Sequence, residues 1–145
     1  MTYIEASNQD GLILDTHILI WYVEGIRLSE AQINLIDKIR EQNKLYISAI
    51  SIWEIVMLEN KGKIAFSIEL NDWIDKLLSI PGLNLIDLSV SILIQSCLLP
   101  HYEHKDPADR FIIAATRTTN ACLFTFDQRI IEYANLGYLK IIQAK

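Results

Sequence analysis

Asp15, Glu54, Asp109 and Asp127 are the residues of this chain whose type and placement could do chemistry together. Carboxylates a few ångströms apart raise one another's pKa, so a cluster stays ionised only beside a cation. A hard divalent ion meets that need, because Mg²⁺ prefers oxygen ligands, keeps several waters and uses only a few carboxylates. Such an ion acidifies a bound water and neutralises charge on a phosphodiester. Water attack on a phosphate with metal help, through one ion or two, is the chemistry this set would perform.

Each acid also has an ordinary reading. Asp15, followed by Thr16, could cap a helix. Ser51-Ile52-Trp53-Glu54 is a formal capping box, so Glu54 could serve the backbone of its own helix. Asp106-Pro107 reads as an N-cap followed by the first helical residue, which leaves Asp109 in a first turn where the helix dipole favours it. Asp127 could be a turn residue. These readings leave unexplained why all four acids should fall at one edge of a sheet, as the order of elements implies.

That order alternates strand and helix. Leu12–Leu14 reads as a buried strand, and His17–Glu24 as a helix stopped at Gly25. Ser29 and Gln32 form a capping box for a helix faced by Ile33, Ile36 and Ile39. Leu45–Ser48 is the second strand, followed by a helix from about Ile50 to Glu59. Ser67 opens a helix with apolar residues at Leu70, Trp73, Ile74, Leu77 and Leu78, broken by Pro81-Gly82. Leu83–Leu88 is the third strand, and Ser89–Leu99 a helix ended by Pro100. The helix from Pro107 runs to about Thr119. Cys122–Thr125 is the fourth strand, and a short helix from Gln128 and a strand near Leu139–Ile142 complete the pattern. Alternation of this kind predicts a three-layer α/β/α sandwich on a mainly parallel sheet of about five strands. Ligands of such sheets bind at the carboxyl ends of strands. Asp15 directly follows the first strand, Asp127 lies just past the fourth, and Glu54 and Asp109 fall in the first turns of the helices after the second strand and after Pro107.

The length of 145 residues fits one domain over 1–145, and 51% apolar residues with a net charge of −5 argue against a basic sleeve for nucleic acid. Excess acid suits a site whose cation is missing from the count. No apolar run approaches the roughly 18 residues of a membrane span. Met1–Asp10 has no basic leader segment, so neither export nor insertion is expected. Cys97 and Cys122 are expected as two buried free thiols in a reducing cytosol. His101 and His104 form H-x-x-H without companion cysteines, which makes a poor zinc site. His17 is expected to pack near the first helix. No glycine-rich phosphate loop and no Ser or Cys nucleophile motif is present.

Three blocks of the chain resemble the PIN domain and, within it, the VapC-type toxins: LILDTHILIW at Leu12–Trp21, SAISIWEIVMLENKGKI at Ser48–Ile64, and HKDPADRFIIAATRTTNACLFTFDQRII at His104–Ile131. Their order and spacing fit from about Gly11 to Ile142, with Ala108 standing where a larger residue is usual and Met1–Asp10 outside the pattern. The resemblance implies an endoribonuclease that binds Mg²⁺ or Mn²⁺ through Asp15, Glu54, Asp109 and Asp127. Thr125 would help position a ligand or water, and Asp106 would be an auxiliary acid at most. It also implies a small antitoxin partner and a homodimer. Arg110, Lys61 and Lys63 are the candidates for gripping an RNA backbone, against an ordinary role as solvated or ion-paired charge. Trp21, Tyr22, Trp53, Trp73 and Ile74 suggest an apolar groove for an antitoxin helix. Two rival functions share this fold class. One is a PIN fold kept only to bind RNA or a partner. The other is a receiver-like signalling domain using Asp87 and Thr125, which would lack the acidic pair expected beside its first strand.

Overall fold

The structure, a computed structural model, describes residues 11–143. The reading of Met1–Asp10 therefore lies outside the described residues. Strand β1 (Leu12–Leu14) is wholly buried, as a strand covered on both faces must be. Its side chains alternate: Leu12 and Leu14 join the core on one face and Ile13 the core on the other. Around it lie α1 (Thr16–Glu24), α2 (Glu30–Glu41), β2 (Leu45–Ser48), α3 (Ala49–Asn60), α4 (Leu70–Leu78), β3 (Leu83–Ile86), α5 (Val90–Cys97), α6 (Pro107–Thr118), β4 (Cys122–Thr125), α7 (Gln128–Asn135) and β5 (Ile141–Gln143). The first core takes Ile18 and Leu19 from α1, Ile36 and Ile39 from α2, and Trp73 and Leu77 from α4. The second takes Ile112 and Ile113 from α6 and Ile130 and Tyr133 from α7. The expected three layers follow.

The five strands run in the order β3-β2-β1-β4-β5, and every neighbouring pair is parallel. The chain steps outward from β1 to β2 and β3, then returns to lay β4 against the free side of β1. The carboxyl ends of β1 and β4 are thus the switch point where the connections diverge and a crevice opens. A receiver-type sheet would instead read 2-1-3-4-5. Here Asp87 follows an edge strand three positions from β4, roughly 14 Å away at the usual strand spacing. It has no part in a site with Thr125.

Several boundaries differ from the sequence reading. α3 is capped by Ser48, not by Ser51, so the capping box ending at Glu54 is not formed. α4 begins at Leu70 behind Glu69, which makes no side-chain cap bond, and Ser67 lies in the preceding connection. Packing of Trp73 and Leu77 against the core sets that start in place of a cap. β3 ends at Ile86, and Ser89 caps α5. Cys122 is buried, whereas Cys97 ends α5 and is exposed. Among the described residues, no helix is long and apolar enough to cross a membrane.

Candidate active site

Asp15 ends β1 and caps α1, with one carboxylate oxygen accepting from the Thr16 amide at 2.8 Å. The other accepts from the Thr125 hydroxyl at 2.7 Å, across the β1–β4 junction. Its amide donates to the Phe124 carbonyl at 3.0 Å. Thr125 is fully buried, and its oxygen also accepts from the Asp127 amide at 3.0 Å. One hydroxyl therefore ties together the two acids that leave neighbouring strands. Asp127 caps α7 by accepting from the Arg129 amide at 2.9 Å. Asp106 caps α6 through the Ala108 amide, and Asp109, third in that helix, is only 8% exposed.

Glu54 lies one turn into α3, free of capping duty. The Thr16 hydroxyl bonds toward it and also meets the buried Ser51 hydroxyl at 2.8 Å. Thr16 and Ser51 are the positioning residues that the sequence reading missed, although they stand beside Asp15 and one turn before Glu54. Tyr102, also missed, is buried with its hydroxyl unpartnered, and no sequence signal distinguishes it.

Asp15, Glu54 and Asp109 are all raised, each in part by other acids of the group. Burial pushes Asp109 up to about 7, assisted by the negative charges of Asp106, Asp127, Asp15 and Glu54. Burial also raises Asp15, with Asp127 adding to the rise while the Thr125 and Thr16 bonds and His17 oppose it. Glu54 is raised by burial and by Asp15 and Asp106, against the Thr16 bond and His17. Asp106, placed by sequence at the margin, thus acts on both Glu54 and Asp109. Burial and the charges of Asp109 and Asp127 push the Tyr102 phenol up as well.

Oxygen donors that raise one another's proton affinity suit a hard cation. Among the described residues, no three or more His, Cys, Asp or Glu side chains stand close enough together to hold a metal ion as they are. An ion that keeps several waters needs only one or two direct carboxylates, so the donor set still fits Mg²⁺ or Mn²⁺. His101 and His104 are exposed and belong to no such group.

The basic candidates lie elsewhere. Arg110 donates to the carbonyls of Ser96 at 2.8 Å, Tyr102 at 3.0 Å and His104 at 2.9 Å, pinning the segment that precedes α6. Lys61 and Lys63 are exposed beyond the C-terminal end of α3, about 10 Å further along the helix axis than Glu54.

The sequence matches the PIN domain family over residues 12–136. It is 29% identical over 120 residues to "Ribonuclease VapC22" of Mycobacterium tuberculosis, covering 82% of this chain and 88% of that protein. Among solved structures, VapBC2 from Rickettsia felis, bound to a DNA fragment from their promoter, superposes with a TM-score of 0.69 at 19% identity, covering 92% of this chain and 98% of the other. A toxin-antitoxin complex from Klebsiella pneumoniae superposes with a TM-score of 0.60 at 19% identity, covering 91% and 96%.

Proposed function

The chain belongs to the PIN domain family, and on that premise we propose that it is a metal-dependent endoribonuclease, the toxin of a toxin–antitoxin pair. The observation that carries this reading is the shared field of Asp15, Glu54, Asp109 and Asp127 at the β1–β4 crevice. The relative named as a ribonuclease and the solved toxin-antitoxin complex support it from outside.

Asp15, Glu54, Asp109 and Asp127 would hold Mg²⁺ or Mn²⁺, with Asp106 as an auxiliary acid. The ion would supply an acidified water and neutralise charge on the phosphodiester. Thr125 fixes Asp15 in its acceptor geometry and orients the start of α7 through the Asp127 amide. Asp109, raised to about 7 by burial and its acidic neighbours, would be held as the carboxylate by a bound cation. Arg110 is spent on three carbonyls and acts by holding the segment before α6. Lys61 and Lys63 would meet only a stretch of RNA distant from the carboxylates.

The antitoxin and a second copy of the chain are the proposed protein partners. Trp73 is buried in the core and offers nothing to either. Trp53 and Val56 of α3 and Val90, Leu93 and Ile94 of α5 are exposed and supply the apolar surface such contacts need. A cytoplasmic setting, where RNA is at hand and Cys97 and Cys122 stay free thiols, completes the reading.

The test is cleavage of mixed-sequence single-stranded RNA by the purified chain. Activity should require Mg²⁺ or Mn²⁺, vanish in chelator and return on adding the ion back. Cleavage that persists in chelator would refute the metal role. RNA binding without cleavage under any divalent ion would favour the non-catalytic alternative.

A further inference from the structure

We propose that His17, Trp21 and Phe126 form a stacking platform for a nucleobase of single-stranded RNA, flanked by Arg27. The proposal rests on the nuclease reading above and adds where the substrate's base goes.

Phe126 stands between Thr125, which bonds Asp15, and Asp127, with about 3.8 Å between successive Cα atoms. Phe126 is 41% exposed, just past the end of β4, whereas Phe124 within that strand is wholly buried. The Phe126 ring lies 5.5 Å from Trp21, and Trp21 lies 6.1 Å from His17, four residues earlier on the same helical face. The Arg27 guanidinium sits 5.6 Å from the centre of the Trp21 ring. His17 is exposed, Trp21 half-buried and Arg27 exposed. The arc thus runs from the mouth of the carboxylate crevice, where His17 already acts on Asp15 and Glu54, along α1 to a cation.

The Phe126 ring rests on the buried Phe124 ring at 6.0 Å, which holds it in place, while part of the residue stays open beside the acids. It is well placed for a flat apolar ligand. Nucleotides next to the scissile phosphate must leave the crevice on some side, and every base presents a π-face to an aromatic ring. Arg27 provides a positive charge at the far end, where the next phosphate would run. Ring faces beside the reacting group and a cation one step along match a polyanion with flat side groups better than they match a peptide.

The experiment compares Phe126→Ala, Phe126→Leu and Phe126→Trp with wild type, using a short single-stranded oligoribonucleotide of mixed sequence. Binding is read by anisotropy of the labelled oligomer, cleavage with Mg²⁺ by gel, and folding by thermal unfolding. Loss of base–aromatic stacking should weaken binding and raise KM roughly five- to a hundredfold in the Ala and Leu variants, with the ring restored by Trp. Arg27→Ala should lower the salt slope of binding by about one charge. Equal KM in wild type, Ala and Leu, with cleavage intact, would overturn the platform and leave the nuclease reading standing. Absence of cleavage by wild type with either Mg²⁺ or Mn²⁺ would overturn the nuclease reading, while the binding arm still tests the platform. If Phe126→Ala left RNA binding unchanged and weakened only inhibition by a co-expressed antitoxin, the platform would belong to a protein partner and the proposal would fail.

Discussion

Helix α6 joins two ends of the sheet that treat charge in opposite ways. At its start, Asp109 is buried among four other acids and pushed up to about 7. At its end, Arg117 donates to the Tyr138 carbonyl, Thr119 to the Ala115 carbonyl at 2.7 Å, and Lys140 to the Asn120 carbonyl at 3.0 Å. A cavity of about 290 Å³ lies at this second end, lined in part by Arg117, Asn120, Tyr138 and Lys140. Room alone would point there, and the chemistry points to the other end. Charges at the amino edge are matched by nearby carbonyls and add to stability. Charges at the carboxyl edge oppose one another, an arrangement that stability alone does not favour and that a bound cation would relieve.

The largest expected effect separates the two ends outright. Asp15→Asn should lower RNA cleavage roughly a hundredfold or more while leaving thermal stability equal or higher, since one repelling charge is gone. Arg117→Ala should do the reverse, leaving the cleavage rate near wild type and costing about 1 kcal/mol in denaturant unfolding. Equal effects of the two substitutions on cleavage would erase the contrast.

A smaller effect is expected from Thr125→Val, which keeps the shape of the β4 terminus and deletes the hydroxyl holding Asp15. Metal affinity should fall ten- to a hundredfold, in the range found for groups that orient metal ligands. Titrating Mg²⁺ against initial rate reads this directly, and Thr125→Ser should recover most of the loss.

The mildest effect is on pH. Asp109 is raised from an ordinary 3.8 to about 7, so the folded state holds this proton more tightly than the unfolded chain. Its contribution to stability is fully present below about pH 4 and is lost as pH rises through about 7. Asp15 and Glu54, also raised, act with the same sign. In chelator, the wild-type melting temperature minus that of Asp109→Asn should therefore fall between pH 4 and 8. Saturating Mg²⁺ should flatten it, and a difference that rises with pH would contradict the described charge cluster.

Much of the carboxyl edge was legible because acids placed just after strands can have only one destination in a parallel sheet. Asp106-Pro107 announced the start of α6 by side-chain chemistry alone, and Ser29 with Gln32 announced α2. The order of the strands was not legible, since nothing near Cys122 states that β4 returns to lie beside β1. Ser51 misled as a cap because its hydroxyl faces a distant partner, Thr16, which no local pattern encodes. The start of α4 was missed for a related reason, since burial of Trp73 rather than a capping side chain fixes it. Arg110 looked like a free cation beside Asp109, and only the path of the preceding segment shows its three carbonyl partners.

The bond between Thr125 and Asp15 spans 110 positions of sequence. During synthesis on the ribosome, β1 with Asp15, and then Glu54, emerge while the strand that completes the crevice is still to be made. Until β4 has emerged and inserted beside β1, Asp15 lacks its Thr125 partner and neither Asp109 nor Asp127 is in place. On the nuclease reading, copies that lack β4 would not cut, and the substrate would be spared until that strand has been made. Any partner that must restrain it has that interval in which to meet the growing chain.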